Sequence, residues 1–134
     1  MKDAYRMVAE FHRAFGVDAP DAPCIPSDEV KRLRHSLIFE EFSEYAQAAY
    51  AGDIVKIADA LADLAYVVIG TAVAHGITRF DEIFAEVHRA NLDKTWPDGK
   101  VRYRDDGKVL KPPGWTAPDI APLLRTNDRR KQCP

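Results

Sequence analysis

Apolar residues recur at intervals of three and four along the first half of the chain, the repeat that gathers side chains on one face of an α-helix. Ala4, Val8, Phe11 and Phe15 trace such a face from Lys2 to Phe15, and Gly16 ends it. His12 in this segment has no neighbouring ligand residues and reads as a packing or surface side chain. Pro20, Pro23 and Pro26 then rule out a continuous helix, because each lacks a backbone donor and restricts the residue before it. Ser27 can cap the next helix, with Asp28 and Glu29 at its positive end, so that helix is predicted over 28–51.

Gly52 stops that helix and Asp53 can cap the one that follows, which makes the second and third helices antiparallel neighbours. The third, predicted over 54–74, carries Leu61, Leu64, Val67, Val68, Ile69 and Val73 and is apolar around most of its circumference. Such a helix needs cover on several sides, and four helices of one small chain cover it poorly. Self-association through this surface is therefore expected. Gly76 ends the helix, with His75 suited to its negative end. Thr78 and Asp81 read as a capping box for a fourth helix bearing Phe80, Ile83, Phe84, Val87 and Leu92.

Beyond Lys94 the pattern changes. Pro97, Gly99, Gly107, Pro112, Pro113 and Gly114 break any helix, and Asp105 to Lys108 suggest a turn between short arms at 101–103 and 109–110. Lys100, Arg102, Arg104, Lys108 and Lys111 make this loop basic, and Trp96, Tyr103 and Trp115 add aromatic faces. It reads either as a solvated connector or as a lid that meets an anionic ligand. A short helix is expected around 118–124, and a frayed end from Asn127.

Candidate chemistry sits where the pattern is interrupted. Val30, Leu33, Leu37, Glu41, Glu44 and Ala48 follow one stripe of the second helix; Ile57, Ala60, Leu61, Leu64 and Val68 follow one of the third, with Asp63 beside it and Asp59 one turn earlier. Glu44 lies eight residues before Gly52, and Asp59 and Asp63 lie seven and eleven after it. At about 1.5 Å per residue the two acidic pairs reach matching heights in the hairpin and should face one another. A buried carboxylate must protonate, find a cation partner or coordinate a metal. The local cations are Arg34 and Lys56, and Lys56 is expected to point away from Asp59. A hard divalent cation is the economical partner, since oxygen ligands suit magnesium or manganese better than zinc. The Glu41–Glu44 spacing alone is also that of a solvated helix face; the hairpin alignment favours the site.

Composition narrows the classes. The chain has 134 residues, 46% hydrophobic and 30% charged, which suits one globular domain with a single core. A net charge of -2 gives no global field for a nucleic-acid polymer or a membrane surface, so any anion must be captured locally. Cys24 and Cys133 show no CxxC or metal-ligand spacing, and a reducing cytoplasm is the expected setting. No signal segment opens the chain, and no uninterrupted apolar run reaches the roughly 18 residues of a spanning helix.

Three pieces together carry a resemblance: Glu40-Glu41-Phe42-Ser43-Glu44, then Asp59-Ala60-Leu61-Ala62-Asp63-Leu64-Ala65-Tyr66, then His88 through Asn91 and Lys94 to Lys111-Pro112-Pro113-Gly114-Trp115. In this order they resemble the MazG-like all-α nucleoside triphosphate pyrophosphatases, a superfamily related to phosphoribosyl-ATP pyrophosphohydrolase, and especially the subgroup of MazG-like dUTPase and Cof-like phosphohydrolases. The resemblance runs from Glu10-Phe11-His12 to Asp119 and makes residues 1–134 one domain. It implies an all-α antiparallel bundle of four main helices with a C-terminal loop, assembled as a homodimer. It also implies magnesium-dependent cleavage of a nucleoside triphosphate, dUTP in the nearest subgroup, between its α and β phosphates.

By the same resemblance Glu41, Glu44 and Asp63 are metal ligands, Glu40 is the candidate general base, and Asn91 and Lys94 contact the nucleotide. The segment from Lys111 to Trp115 is the closing loop, and Tyr66 is a candidate hydrogen-bonding partner for ligand or carboxylate as well as a candidate core residue. The family pattern is ExxE followed by ExxD, and here Ala60 stands where the second motif has its glutamate. Asp59 shares a helix face with Asp63 and can stand in. A direct or water-bridged Asp59, a three-carboxylate site, and a nucleotide-binding dimer with weakened catalysis are the alternatives.

Overall fold

The computed structural model describes residues 1–134. It is all-helical, with 56% of residues in helices and no strands. The helices are α1 (Lys2–Ala14), α2 (Asp28–Ala51), α3 (Ile54–Ala74), α4 (Phe80–Leu92) and α5 (Ala121–Leu124). The chain divides into two compact units, one of Met1–Phe80 with Thr126–Pro134, the other of Asp81–Arg125. Within the first, α2 packs along α3 and α1 packs on α3. The fourth helix thus belongs, from Asp81 on, to the second unit together with the basic loop, whereas the resemblance implies one bundle of four.

The α2–α3 hairpin forms for the reasons its sequence states. The Ser27 hydroxyl accepts from Val30 N at 3.3 Å, and Asp53 accepts from the amides of Val55 and Lys56 at 3.1 and 3.3 Å. Gly52 ends α2 with φ +71°, a left-handed conformation in which a side chain would be strained. Helix α4 begins at Phe80, one residue later than a Thr78 cap would start it.

The core of the first unit is small: Val8 and Ala9 of α1 against Ile69 and Val73 of α3, with Ala4, Tyr5, Ala19 and Phe80 around them. On α2 the buried face differs from the apolar stripe. Leu33 is 53% exposed, whereas Arg34 is 8% exposed and donates from Nε to Thr71 Oγ1 at 3.2 Å and from Nη2 to the Val67 carbonyl at 2.7 Å. Burial draws the Arg34 guanidinium below its ordinary pKa. His12 is also buried, its Nδ1 3.0 Å from the Asp18 carbonyl, in keeping with a packing role.

The third helix satisfies the length and composition of a membrane span, with a mean hydropathy of 1.7 over its apolar window, yet only 33% of that window is buried. Leu61, Tyr66 and Val68 of α3 and Phe39 and Phe42 of α2 all present exposed apolar surface. Residues 127–134 are not frayed as expected. Ile25 and Gln132 form a parallel bridge through Ile25 N to Lys131 O at 2.7 Å and Cys133 N to Ile25 O at 2.9 Å. Cys24 and Cys133, which carry no pairing signal in the sequence, are joined in a disulfide. The proline-containing segment is fixed in turn to the end of α3: Cys24 N donates to His75 O at 3.0 Å, and a Cβ on Gly76 would overlap the Ala22 carbonyl.

In the second unit the loop after α4 folds back on that helix. Trp115 Nε1 donates to the Ala90 carbonyl at 2.7 Å, and Asp119 N donates to Glu86 Oε1 at 3.0 Å. The expected turn at Asp105-Asp106-Gly107 is present, closed by a Tyr103–Val109 antiparallel bridge with Gly107 at φ +80°.

Candidate active site

Antiparallel packing of α2 on α3 brings the acidic pairs of the first unit together. The Glu41 carboxyl is half-buried and is pushed above the usual carboxylate range, first by loss of water and then by the charges of Glu44, Asp63, Glu40 and Asp59. One side chain thus feels the other four. Glu40, Glu44, Asp59 and Asp63 are exposed, and none of the five carboxylates enters an ion pair. Glu44, Gln47, Ala48, Lys56, Asp59 and Ala60 line an open cleft of about 680 Å³ near the hairpin turn. Lys56 therefore lines the same cleft as Asp59 and does not point away from it, because positions three apart share a helix face. Ala60 is 5% exposed, packed where α3 meets its neighbours.

The donor set fits a hard cation by its chemistry: carboxylate oxygens without nitrogen or sulfur, unpaired, and repelling one another. Their oxygens do not converge on one point as three or more side chains within ligand distance, so occupation requires rotamer changes of these carboxylates. Tyr66 turns its ring edge to Phe11 of α1 at a centroid distance of 5.9 Å, which gives it a packing contact while it stays 39% exposed.

A second cluster is built within the second unit. Trp115 is fixed by its bond to the Ala90 carbonyl, and Lys111 Nζ stands 4.2 Å and Lys94 Nζ 5.9 Å from its ring centroid. Lys94 also donates to Asn91 Oδ1 at 2.7 Å. Asn91, Lys94, Lys111 and Trp115, far apart in sequence, are therefore one constellation, with two ammonium groups and no carboxylate partner for either. Such a pair attracts anions. Each cluster is internal to its own unit.

Residues 8–91 match the phosphoribosyl-ATP pyrophosphohydrolase family. The chain belongs to this family of pyrophosphohydrolases, within the MazG-like all-α nucleoside triphosphate pyrophosphatase superfamily. No individual curated protein matches it significantly. The matched region contains all five carboxylates and ends at Asn91, so Lys94, Lys111 and Trp115 lie beyond it.

Sequence reasoning missed two features around the site. Arg34 reads in the sequence as a local cation available to the carboxylates, yet it is buried and bonded to α3; a glycine inside the apolar third helix was the available signal, since a helical glycine often marks a close approach. The Cys24–Cys133 bond was missed because two cysteines 109 residues apart, without a CxxC spacing or a signal segment, read as free thiols of a reducing compartment.

Proposed function

We propose that this protein hydrolyses a nucleoside triphosphate, with dUTP the expected substrate, between the α and β phosphates to give the monophosphate and pyrophosphate. The reading is supported above all by the gathering of five carboxylates, none in an ion pair, on the α2–α3 hairpin of a chain that belongs to a pyrophosphohydrolase family. Glu41, Glu44, Asp59 and Asp63 would hold magnesium, or manganese in its place. Bound there, the ion would polarise the phosphate and offset charge on the pyrophosphate. Water oxygen bonds to the α phosphorus as the bond to the bridging oxygen breaks, and pyrophosphate leaves. Glu40, exposed and next to the cluster, would take the proton of that water. Asn91, Lys94 and Lys111 would bind phosphate oxygens and Trp115 would present a ring face, with Tyr66 available at the hairpin.

The exposed apolar surface of α3 and α2 supports a homodimer, since a helix of this composition is stable in water only when covered. A cytoplasmic setting, where nucleotide pools lie, goes with this reading, whereas the Cys24–Cys133 disulfide favours an oxidising one. The experiment is pyrophosphate release from a panel of nucleoside triphosphates that includes dUTP, with magnesium and then with EDTA. Metal-dependent release from one of them is expected; release from none sinks the reading. Ala60 supports a second one, a nucleotide-binding dimer with weakened catalysis. Gain of turnover on Ala60→Glu would favour it, whereas loss on Asp59→Ala would show that Asp59 already serves.

A further inference from the structure

Arg34 carries a charge into the α2–α3 interface with no carboxylate to meet it. Its Nη2 donates to the Val67 carbonyl at 2.7 Å and its Nε to Thr71 Oγ1 at 3.2 Å, and Thr71 Oγ1 donates to the same carbonyl at 2.9 Å. Both acceptors belong to one turn of α3. Between them lies Gly70, where a Cβ would overlap Nη2, reach 3.2 Å from Cζ, and lie 3.1 Å from His12 Nε2. The guanidinium therefore has one seat on α3, bounded by His12 of α1. Sliding α2 by one residue, about 1.5 Å, would misalign both bonds and press the guanidinium toward a residue that has a Cβ.

The same seat sets the heights of the acidic residues. Measured toward the hairpin turn from the Arg34–Val67 bond, Asp63 lies about 6 Å, Glu41 about 10 Å and Asp59 about 12 Å along the axes at the helical rise. Glu41 of one helix thus falls between the two aspartates of the other. We propose that Arg34 is a positioning residue: seated against Gly70, it fixes the axial register of α2 on α3 and thereby which carboxylates face each other. The register stands on the packing alone. Its consequence for cation binding rests on the reading of the acidic cluster given above.

Two readouts test this in the full chain with its disulfide intact. Spin labels at Arg32→Cys and Ala65→Cys, in labelled protein diluted with unlabelled, report the α2–α3 distance. Manganese titration, followed by the resonance of free Mn2+, reports the cluster. Arg34→Met should shift or broaden the label distance and weaken Mn2+ binding roughly tenfold or more, while Arg34→Lys, which keeps the charge and one donating nitrogen, should recover part of both. Gly70→Ala should act in the same direction, and the double variant should be no worse than either alone, because removing the guanidinium frees room for the methyl. Val73→Ala, a core truncation, should lower stability and leave Mn2+ affinity in place. An unchanged label distance in Arg34→Met overturns the proposal, or in Gly70→Ala and Arg34→Lys should Arg34→Met fail to fold. A shifted distance with unchanged Mn2+ affinity, or equal loss of affinity in Val73→Ala, overturns its link to the acidic residues. Wild-type protein that binds no Mn2+ sinks the cation reading instead, and the labels alone then decide the register.

Discussion

The middle of the α2–α3 hairpin and the second unit treat their carboxylates in opposite ways. In the second, Glu86 accepts from Arg89 Nε and Nη2 at 2.8 and 2.7 Å and from the Asp119 amide, and these bonds hold its carboxyl down at about 2. Asp93 takes the remaining arm of Arg89, Asp98 binds Arg102 at 2.9 Å, and Asp106 binds Arg104 at 3.0 Å. In the α2–α3 hairpin, none of five carboxylates is in an ion pair, and loss of water, followed by the charges of the other four, pushes Glu41 the other way. Acids that serve structure are paired when the chain folds. Acids left unpaired on a packed hairpin cost stability, and a function that supplies a cation gives them a reason to remain.

Removing acids from the hairpin breaks this comparison most directly. Glu41→Ala and Glu44→Ala should each lower metal-dependent pyrophosphate release at least about 100-fold while circular dichroism shows the helices retained. Should both variants unfold instead, the hairpin acids form a structural network like those of the second unit, and the contrast disappears.

The disulfide sharpens the comparison from the side of stability, because it ties only the first unit. Closing a loop of 109 residues restrains the unfolded chain by about 5 kcal/mol. Cys133→Ser, or a dithiol reductant, should lower the denaturation midpoint of the first unit accordingly and release residues 131–134, seen as faster exchange at the Ile25 and Cys133 amides. The Arg89 and Arg102 ion pairs of the second unit should be unaffected. Equal loss in both units would mean that the two do not unfold separately.

The constellation on Trp115 should show a smaller, different effect. Lys111→Ala removes one of two ammonium groups from the indole face and should raise KM for the triphosphate roughly tenfold with kcat little changed, since its charge meets ground state and transition state alike. A fall in kcat with KM unchanged would place Lys111 at the reacting phosphate instead.

How much of this was legible in the chain follows from the range of the interactions. The ends of α2 and α3 were readable because Ser27, Gly52 and Asp53 act within four residues of themselves. The facing of Glu41 and Glu44 with Asp59 and Asp63 followed from a two-residue turn and a fixed rise. Arg34 was not legible as a buried residue, since its bonds reach 33 and 37 positions along the chain. Only the packed helices reveal that Gly70 makes room for it. The division after Phe80 was equally hidden: α4 has an ordinary amphipathic pattern, and no local signal says that its partner is the loop carrying Trp115 and Asp119.

The smallest effect separates the two kinds of carboxylate by sign. The folded-state pKa of Glu86, about 2, lies below its unfolded value near 4.5, so the unfolded chain binds more protons in that window and stability rises with pH across it. The Glu86 contribution is complete above the unfolded value and is lost as pH falls through about 2. Glu41 is raised, so the folded chain binds more protons in its window, and stability falls as pH rises from the unfolded value through the folded one. At neutral pH without divalent cations, Glu86→Gln should therefore lower the midpoint slightly, solvent screening keeping the effect small, and Glu41→Gln should raise it by a comparable or smaller amount. Below the carboxylate range the Glu41→Gln gain should vanish, because wild-type Glu41 is then protonated as well. Saturating magnesium should reverse its sign at neutral pH, because a bound cation stabilises the ionised Glu41 that the variant lacks. A Glu41→Gln midpoint that ignores magnesium would leave the acidic cluster with repulsion and no ligand.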